Sequence, residues 1–354
     1  MNQALLSGIA SKAYDKLLKA TESKQPIAVT GLPDTMAAYI ASKRCADTGR
    51  KVLLISGNDL KAAHDAEDGQ QLLESGVACL PGGEIDLTRG ASSHESAWRR
   101  LEALARAQEG DIRLLCTSMD AALQRMGSAD RFREETIRLA PGDRIDLNDL
   151  IRRLTAMGYE RVSMVEGKGQ CALRGGIIDV YPPACSQSLR IEFFDDEVDA
   201  MGEFDVTTQR RTQNVKSLTV LPAAEVLPAL SDGGREKMLE RLGRAAQKIA
   251  KKAEDSPIVQ TLRSDIERLR NALPLGGMDR YLAACYPDEV CALDYLSPDT
   301  LIAVSDGMRV LERSKNYHWE LSEDVKPLIE EGVLCGEFAA LALSQEALSH
   351  RMGA

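Results

Sequence analysis

Two short segments carry residue types that could bind a phosphate group and its magnesium ion. One is the glycine turn VTGLPDTM, which overlaps an apolar run at residues 26–30 and precedes a helix-like pattern. The other is the apolar run at residues 300–304, which is followed by Ser305 and Asp306. Backbone N–H groups of a glycine turn before a helix bind phosphate, and a carboxylate at a strand end binds the metal. This layout is typical of a nucleotide-binding domain.

The glycine turn lacks the side chains that this chemistry needs. The phosphate-loop pattern is G-x-x-x-x-G-K-[ST], in which the lysine contacts phosphate and the hydroxyl contacts the metal. Counted from Gly31, the places of the second glycine, the lysine and the hydroxyl residue are held by Met36, Ala37 and Ala38. Asp34 would also bring a negative charge close to a bound phosphate. We therefore expect the strand–turn–helix shape to persist without ATP binding.

The strand end is altered as well. Ser305 stands where a metal-bound aspartate is expected, and Asp306 stands where a glutamate is expected. Because both halves of one site are changed, we expect this chain to be no enzyme and to use no cofactor. The alternative is a fragment of an ATP-dependent DNA translocase that keeps residual nucleotide or DNA binding. Saturable ATP binding would favour that alternative.

The charge and the aromatic content argue against autonomous DNA binding. The 354 residues include 44 Lys and Arg against 54 Asp and Glu, which gives a net charge of −10. Aromatic residues make up only 4% of the chain. Sequence-independent DNA binding needs a basic surface, and single-strand binding also needs aromatic stacking platforms. A DNA-binding module is therefore the weaker hypothesis.

Cysteine and histidine spacing does not indicate a metal site. The eight cysteines include no CxxC pair, and the four histidines are scattered along the chain. Zinc sites usually combine such pairs at fixed spacing, so we interpret the cysteines as reduced thiols. No apolar run reaches about 18 residues, and the N-terminal residues do not follow the pattern of a signal peptide. We predict no metal, no membrane contact and a cytoplasmic location.

The distribution of strand and helix patterns predicts an α/β fold with an insertion. Residues 1–133 alternate helices with continuous apolar strands, which indicates a parallel sheet covered on both faces. Residues 134–221 contain successive short strands separated by Gly and Pro, typical of an α+β unit of hairpins. Residues 222–354 are mainly helical but supply one more buried strand. The third segment would therefore complete the domain that the second one interrupts.

Hydrophobic periodicity gives the bounds of the expected elements. The strands expected in the parallel sheet lie at residues 26–30, 51–56, 77–80, 112–117 and 300–304. The insertion is expected to begin with a strand and a polar turn at residues 135–147. Its further strands are expected at residues 161–165, 176–181, 189–195, 197–205 and 217–221. Among the helices, those at the two ends of the chain are expected at residues 3–19, 326–331 and 338–348.

One long run resembles a known family. The run YERVSMVEGKGQCALRGGIIDVYPP, continued by LRIEFFDDEVDAMGEFDVTTQR, resembles the N-terminal module of the bacterial transcription-repair coupling factors (Mfd). Shorter segments agree in their order, namely VTGLPDTM, LPGGE, RLEALARAQEG, LPAAEVL, GGMDRYL and DYLSPDTLIAVSD. The resemblance extends over about residues 20–345 and is most specific over residues 159–210.

The resemblance implies a degenerate P-loop NTPase-like fold, similar to that of the repair protein UvrB. In this family the inserted domain binds the UvrA protein and so recruits it to a stalled RNA polymerase. RNA polymerase and DNA are contacted by a later part of the protein, which holds the ATP-dependent translocase and masks the UvrA surface. That part is not in this sequence, so we expect a monomeric N-terminal piece without a motor.

The docking positions of the family fall on three residues. Arg174 in LRGG and Arg190 in LRIEFF match arginines used toward UvrA, and Phe194 matches an exposed aromatic contact. An arginine can direct two N–H donors at a carboxylate, and an exposed phenylalanine adds apolar contact area. The two-residue period of a strand places Arg190, Glu192 and Phe194 on one face.

Each of these assignments has a simpler alternative. Arg174 could form a salt bridge with Asp179 or Glu192, and Arg190 could be an ordinary solvated strand residue. Phe194 could belong to the core. The acidic run at residues 195–197 is interpreted as a hairpin turn without a metal role.

One stretch departs from the UvrB pattern. UvrB probes DNA with a long, tyrosine-rich β-hairpin, whereas the corresponding segment, residues 84–100, is short and contains no tyrosine. Trp98 is their only aromatic residue and falls on a helix pattern, where packing is the expected role. This departure argues against recognition of DNA damage by this chain.

Overall fold

The computed structural model describes residue 6 and residues 12–22, 25–88, 95–273 and 275–353. The described strands, in chain order, are β1 Val52–Ser56, β2 Val77–Leu80, β3 Leu114–Ser118, β4 Ile137–Leu139, β5 Glu160–Arg161, β6 Gln170–Arg174, β7 Ile177–Val180, β8 Ser188–Phe194, β9 Glu197–Phe204, β10 Arg211–Asn214, β11 Leu218–Val220 and β12 Leu301–Val304. The described α-helices are Lys12–Ala20, Met36–Thr48, Asp59–Leu73, Glu95–Glu109, Met119–Leu123, Ala129–Glu135, Leu147–Ala156, Gly234–Ala250, Pro257–Arg270, Leu282–Cys285, Gly307–Glu330 and Gln345–Gly353. Much of the helix predicted at residues 3–19, and residues 89–94 of the stretch 84–100, lie outside the described residues.

A four-stranded parallel sheet organises the first part of the chain. Its order is β12–β1–β3–β2, so a strand from the last quarter of the chain pairs with the first strand. β1 and β3 are buried along their whole lengths, as expected for parallel strands that are covered on both faces. The strands predicted at residues 51–56, 77–80, 112–117 and 300–304 are therefore confirmed.

Helices cover both faces of this sheet. Successive side chains of β1 point alternately to one face and to the other. Leu54 packs with Ala38 and Cys45 of the helix Met36–Thr48. Leu53 points to the opposite face, where it belongs to the cluster of the helix Glu95–Glu109. The strands are thus packed between two helical layers.

The strand predicted at residues 26–30 is wrong. These residues form no strand, and the side chains of Ile27 and Val29 are exposed. The apolar run is short and begins with Pro26, which has no N–H to donate to a strand ladder. The glycine turn at Gly31 is therefore reached by irregular chain, and β12 forms the edge of the described sheet.

A second sheet of six strands is formed by residues 160–214. Its order is β10–β9–β8–β7–β6–β5, and every pairing is antiparallel except that of β5 with β6. The helix Leu147–Ala156 covers one face with Leu150, Ile151 and Leu154. β4 and β11 pair with each other, so the chain enters and leaves this unit through neighbouring strands.

The coarse fold prediction is thus confirmed, with a parallel sheet and a separate mixed sheet. The boundaries 1–133, 134–221 and 222–354 stay a prediction. Within the second sheet, the strand predicted at residues 161–165 is reduced to the two residues of β5, and β6 and β10 were not predicted.

The last third of the chain is largely helical. The helices Gly234–Ala250 and Pro257–Arg270 pack side by side over a shared apolar cluster. The helix predicted at residues 326–331 is only the end of the much longer helix Gly307–Glu330. The helix predicted at residues 338–348 is wrong in its position, because the regular helix begins at Gln345.

No helix among the described residues is long and apolar enough to cross a membrane. The described residues also contain no group of three or more His, Cys, Asp and Glu side chains placed to hold a metal ion. All eight cysteines are unpaired, and six of them are buried.

Candidate functional site

The register of the six-stranded sheet brings two arginines and a carboxylate to one face. Asp179 of β7 lies opposite Arg190 of β8 and opposite Ala172 of β6. Arg174 lies two residues beyond Ala172 along β6, so its side chain leaves the sheet on the same face. The apolar residues between them point to the other face, where they pack against the helix Leu147–Ala156.

Asp179 is fully buried and is paired with both arginines. Arg190 binds it in a two-point arrangement, with Nε 2.7 Å from Oδ1 and Nη2 3.0 Å from Oδ2. Nη2 of Arg174 donates to the same Oδ2. The hydrogen-bonded carboxylate raises the pKa of Arg190 above its ordinary value. A buried carboxylate needs such partners, because an unpaired buried charge is strongly destabilising.

The two arginines differ in how much of them reaches solvent. The guanidinium of Arg190 lies 4.7 Å from the ring centroid of Phe204, and most of its side chain is buried. The Arg174 side chain is 40% exposed. The surface that a partner protein can touch therefore includes Arg174 much more than Arg190.

Gln209 lies in the turn between β9 and β10 and contacts both arginines. We call Asp179, Arg174, Arg190 and Gln209 the arginine cluster. Its Oε1 accepts a hydrogen bond from Nη2 of Arg174 at 3.3 Å, and its backbone carbonyl accepts one from Nη1 of Arg190 at 3.1 Å. Its own Nε2 donates to the carbonyls of Val206 and Val165. Both arginines are thus hydrogen-bonded to Asp179 and to Gln209.

Phe194 ends β8 and is 80% exposed. The β6–β7 turn lies beside it, because Phe193 donates its N–H to the carbonyl of Gly176 at 2.8 Å. Gly175 in this turn has φ +61°, a conformation that glycine adopts at little cost. Arg174 precedes this turn, so Arg174 and Phe194 lie at the same end of the sheet, on strands about 10 Å apart.

The structure also settles several of the simpler alternatives. Phe194 is not part of the core, and the salt bridge between Arg174 and Asp179 is present. Arg190 is not a solvated strand residue, since it is mostly buried against Asp179. Asp195 and Asp196 form the two-residue turn between β8 and β9, as predicted for this acidic run.

The regular alternation predicted along β8 is interrupted. The pairing of β8 with β9 shifts between Glu192 and Phe193, where a bulge occurs. Glu192 is held by Arg211 at 2.9 Å, and Phe193 stays packed on the helix side. A bulge re-aims the residues that follow it.

The two segments that we interpret from the sequence as an altered phosphate site lie close together. Asp306 begins the helix Gly307–Glu330, and its Oδ2 is 3.5 Å from Nε of Arg309. Nη1 of the same arginine is 3.9 Å from Oδ2 of Asp34 in the glycine turn. Both pairs are exposed, so each contributes little stability.

The three positions counted from the glycine turn, Met36, Ala37 and Ala38, are the first residues of the helix Met36–Thr48. Gly31 has φ +78°, and the helix that follows starts at Met36, whose N–H donates to the Pro33 carbonyl at 2.9 Å. Ala38 is fully buried and Ala37 is partly buried, both packed beside the sheet. Ser305 donates its N–H to the carbonyl of Ile55 and so continues the β12 ladder.

Two residues of the arginine cluster were not predicted as parts of the site. The sequence indicates Asp179 only as a possible salt-bridge partner of Arg174, and it gives no indication of Gln209. Asp179 carries a recognisable signal, because a lone acidic residue inside the apolar strand IIDV needs a cation or hydrogen-bond donors wherever it is buried. Gln209 carries none, since its role depends on the path of a turn.

Comparison with known proteins identifies a class of domain for this region. Residues 137–225 match the family model of the UvrB interaction domain. This range includes the whole arginine cluster and Phe194.

Most of the chain is also similar to particular repair proteins. It is 27% identical over 308 residues to the transcription-repair-coupling factor of Bacillus subtilis, with 86% of this chain and 26% of that protein covered. It is 29% identical over 322 residues to the factor of Staphylococcus haemolyticus, with 87% and 26% covered. The resemblance to the N-terminal module of the transcription-repair coupling factors is therefore confirmed. The chain spans about a quarter of the length of these relatives.

Proposed function

We propose that this chain is a protein-docking module for transcription-coupled nucleotide excision repair and that it binds UvrA. The match of residues 137–225 to the UvrB interaction domain carries this proposal. The similarity to transcription-repair-coupling factors over most of the chain supports the same role. In the whole protein, the module would recruit UvrA to a stalled RNA polymerase, while the polymerase and DNA are contacted elsewhere.

The proposed contact surface consists of Arg174 and Phe194. Phe194 offers apolar area that is already free of other contacts, and such exposed aromatic residues often anchor protein interfaces. Arg174 keeps Nε and Nη1 without a hydrogen bond among the described residues, so these donors are free to meet a carboxylate of the partner. Arg190 is mostly buried and contributes indirectly, because it holds the Asp179 carboxylate in place.

The experiment is a calorimetric titration of UvrA with the wild-type chain and two variants. Arg174→Ala and Phe194→Ala should each weaken binding by about 1–3 kcal/mol, the range for anchor residues. Phe194→Ala should not lower the melting temperature, because the side chain contributes little to the core.

A matched control is Arg152→Ala. Arg152 is 76% exposed on the helix Leu147–Ala156, which covers the opposite face of the sheet. Its variant should bind UvrA as the wild-type chain does. Wild-type affinity in both the Arg174 and the Phe194 variant would remove these residues from the interface.

We also propose that the module is non-catalytic. The places of the phosphate-loop lysine and hydroxyl are held by Ala37 and Ala38, and both side chains are packed beside the parallel sheet. Arg309 lies between the carboxylates of Asp34 and Asp306, at the edge where a nucleotide would bind.

A further inference from the structure

Gln209 has a backbone conformation that its side chain does not favour. Its φ is +59°, in the left-handed region that is costly for residues other than glycine, asparagine and aspartate. The turn is closed on both sides, by Gln209 N–H donating to the Asp205 carbonyl and by Asp205 N–H donating to the Arg210 carbonyl. A glycine would hold the same turn without the strain. Retained strain of this kind is often found at functional sites.

The hydrogen bonds of the Gln209 side chain give a reason for keeping this residue in a strained conformation. Oε1 lies 3.3 Å from Nη2 of Arg174, which also donates to Asp179. The amide group is itself fixed, because Nε2 donates to Val206 at 2.8 Å and to Val165 at 3.2 Å. Gln209 therefore presents an acceptor at a fixed point beside the exposed arginine.

We propose that Gln209 is a positioning residue that fixes the Arg174 guanidinium for a carboxylate on UvrA. With Nη2 bound by Gln209 and Asp179, Nε and Nη1 are the Arg174 donors that have no hydrogen bond among the described residues. A preordered arginine loses less conformational freedom on binding than a mobile one. The inference rests on the proposed UvrA-docking function and deepens it.

The test is the variant Gln209→Gly. Glycine accepts the positive φ and removes the amide acceptor, so the effects on stability and on binding should separate. We expect a melting temperature close to that of the wild-type chain, because relief of the positive φ offsets the loss of the two hydrogen bonds from Nε2, and an affinity for UvrA that is about tenfold weaker. That factor corresponds to the loss of one hydrogen bond to a charged group.

One control variant and one second test variant accompany Gln209→Gly. Ala272→Gly relieves a positive φ of +52° far along the chain, so it should leave UvrA affinity unchanged. Gln209→Asn keeps a side chain that tolerates the left-handed region but is too short to reach the arginine. It should behave like Gln209→Gly.

A double-mutant cycle distinguishes positioning from a separate contact. In an Arg174→Ala background, Gln209→Gly should cause no further loss of affinity, because its effect passes through the arginine. Additive losses would overturn the inference, as would a loss of affinity that occurs only together with a lowered melting temperature. If Arg174→Ala weakens binding while Gln209→Gly does not, the positioning role alone fails. If neither change has an effect, the assignment of Arg174 to the docking site fails as well.

Discussion

At the residue scale, one buried carboxylate decides how two arginines are used. Asp179 takes a two-point bond from Arg190 and a single bond from Arg174. The first arginine is thereby committed to the protein interior, whereas the second keeps donors for a partner. Arg174 and Arg190 lie on the same face of the sheet but have different roles, because Asp179 binds Arg190 at two points and Arg174 at one.

A second carboxylate, Asp279, gives a prediction about pH. Burial raises the pKa of Asp279 to about 7, and its Oδ2 accepts a hydrogen bond from the N–H of Asp86. The carboxyl of the unfolded chain has a pKa near 3.8. Between pH 4 and pH 7, roughly, the native state therefore binds a proton that the unfolded state has lost, so the free energy of unfolding falls as pH rises.

Asp279→Asn should remove this dependence, because an amide keeps the hydrogen-bond acceptor and cannot ionise. The variant should gain about 1–3 kcal/mol over the wild-type chain above pH 7, which is less than the full pKa difference would give, because Asp279 is partly accessible to solvent. The gain should vanish near pH 4. Urea unfolding across this pH range measures it, with exposed Asp255→Asn as the control. An equal gain at all pH values would contradict the explanation.

At the element scale, the helix Gly307–Glu330 offers a comparison between two arginines one turn apart. Arg313 binds Asp120 through two hydrogen bonds of 2.7 Å and also reaches Glu320. Its side chain is 27% exposed, whereas that of Arg309 is 65% exposed. The first pair joins this helix to the helix Met119–Leu123, and the second lies on the surface.

Arg313→Ala should therefore lower the free energy of unfolding by about 1–2 kcal/mol, since it removes a two-point ion pair between helices. Arg313→Lys should not restore the loss, because an ammonium group cannot reproduce the two-point geometry. Arg309→Ala should change stability by less than about 0.5 kcal/mol. Chemical denaturation of the three variants provides the measurement. If Arg313→Ala and Arg309→Ala lowered the free energy of unfolding equally, the difference in burial would not determine what each ion pair contributes.

The same helix shows what local pattern cannot predict. Its buried side is narrow and includes a serine, with Val310, Ser314 and Val325 as the buried residues. An apolar stripe is present, because Tyr317, Leu321 and Leu328 pack against the core at helical spacing from Val310 and Val325. Ser314 interrupts this stripe, and Met308 and Trp319 are exposed on the other side, so the pattern is recognisable only over a fragment of the element.

The buried strands were predicted more accurately than this helix, because a continuous apolar run such as VLLIS in β1 is typical of a strand that is buried on both faces. The run at residues 26–30 looks similar, but whether a strand forms depends on a partner edge that no local pattern reveals. β10 was missed for the opposite reason, since its sequence RTQN is polar and lies at a sheet edge.

For the candidate site, the exposure of Phe194 was predicted from strand parity together with the family resemblance. The burial of Arg190 was not, because it depends on Asp179 from another strand and on Phe204 from a third. Contacts of this kind require the sheet register, which follows from turns and bulges rather than from composition.

At the scale of the whole molecule, the two segments that we interpret as an altered phosphate site give a prediction about nucleotides. Arg309 lies between Asp34 of the glycine turn and Asp306 of the strand end. Two carboxylates at the edge of the sheet would repel phosphate, and no lysine replaces the missing one in the motif.

Titration with magnesium and ATP should accordingly give no saturable heat. The same preparation should still bind UvrA, which shows that the protein is folded and competent. Arg309→Ala is a useful second sample, because it removes a cation that could hold phosphate non-specifically. Saturable, magnesium-dependent binding in the wild-type chain would contradict the non-catalytic assignment and favour a translocase fragment.

Trp98 joins the two sheet units, since its Nε1 donates to the carbonyl of Ala223 at 3.0 Å and its ring lies beside Gly169. The chain has only one other tryptophan, the exposed Trp319. In a Trp319→Phe background, the indole emission of Trp98 would therefore act as an intrinsic optical reporter. A red shift would signal that the units have come apart, so their movement could be followed without attaching a dye.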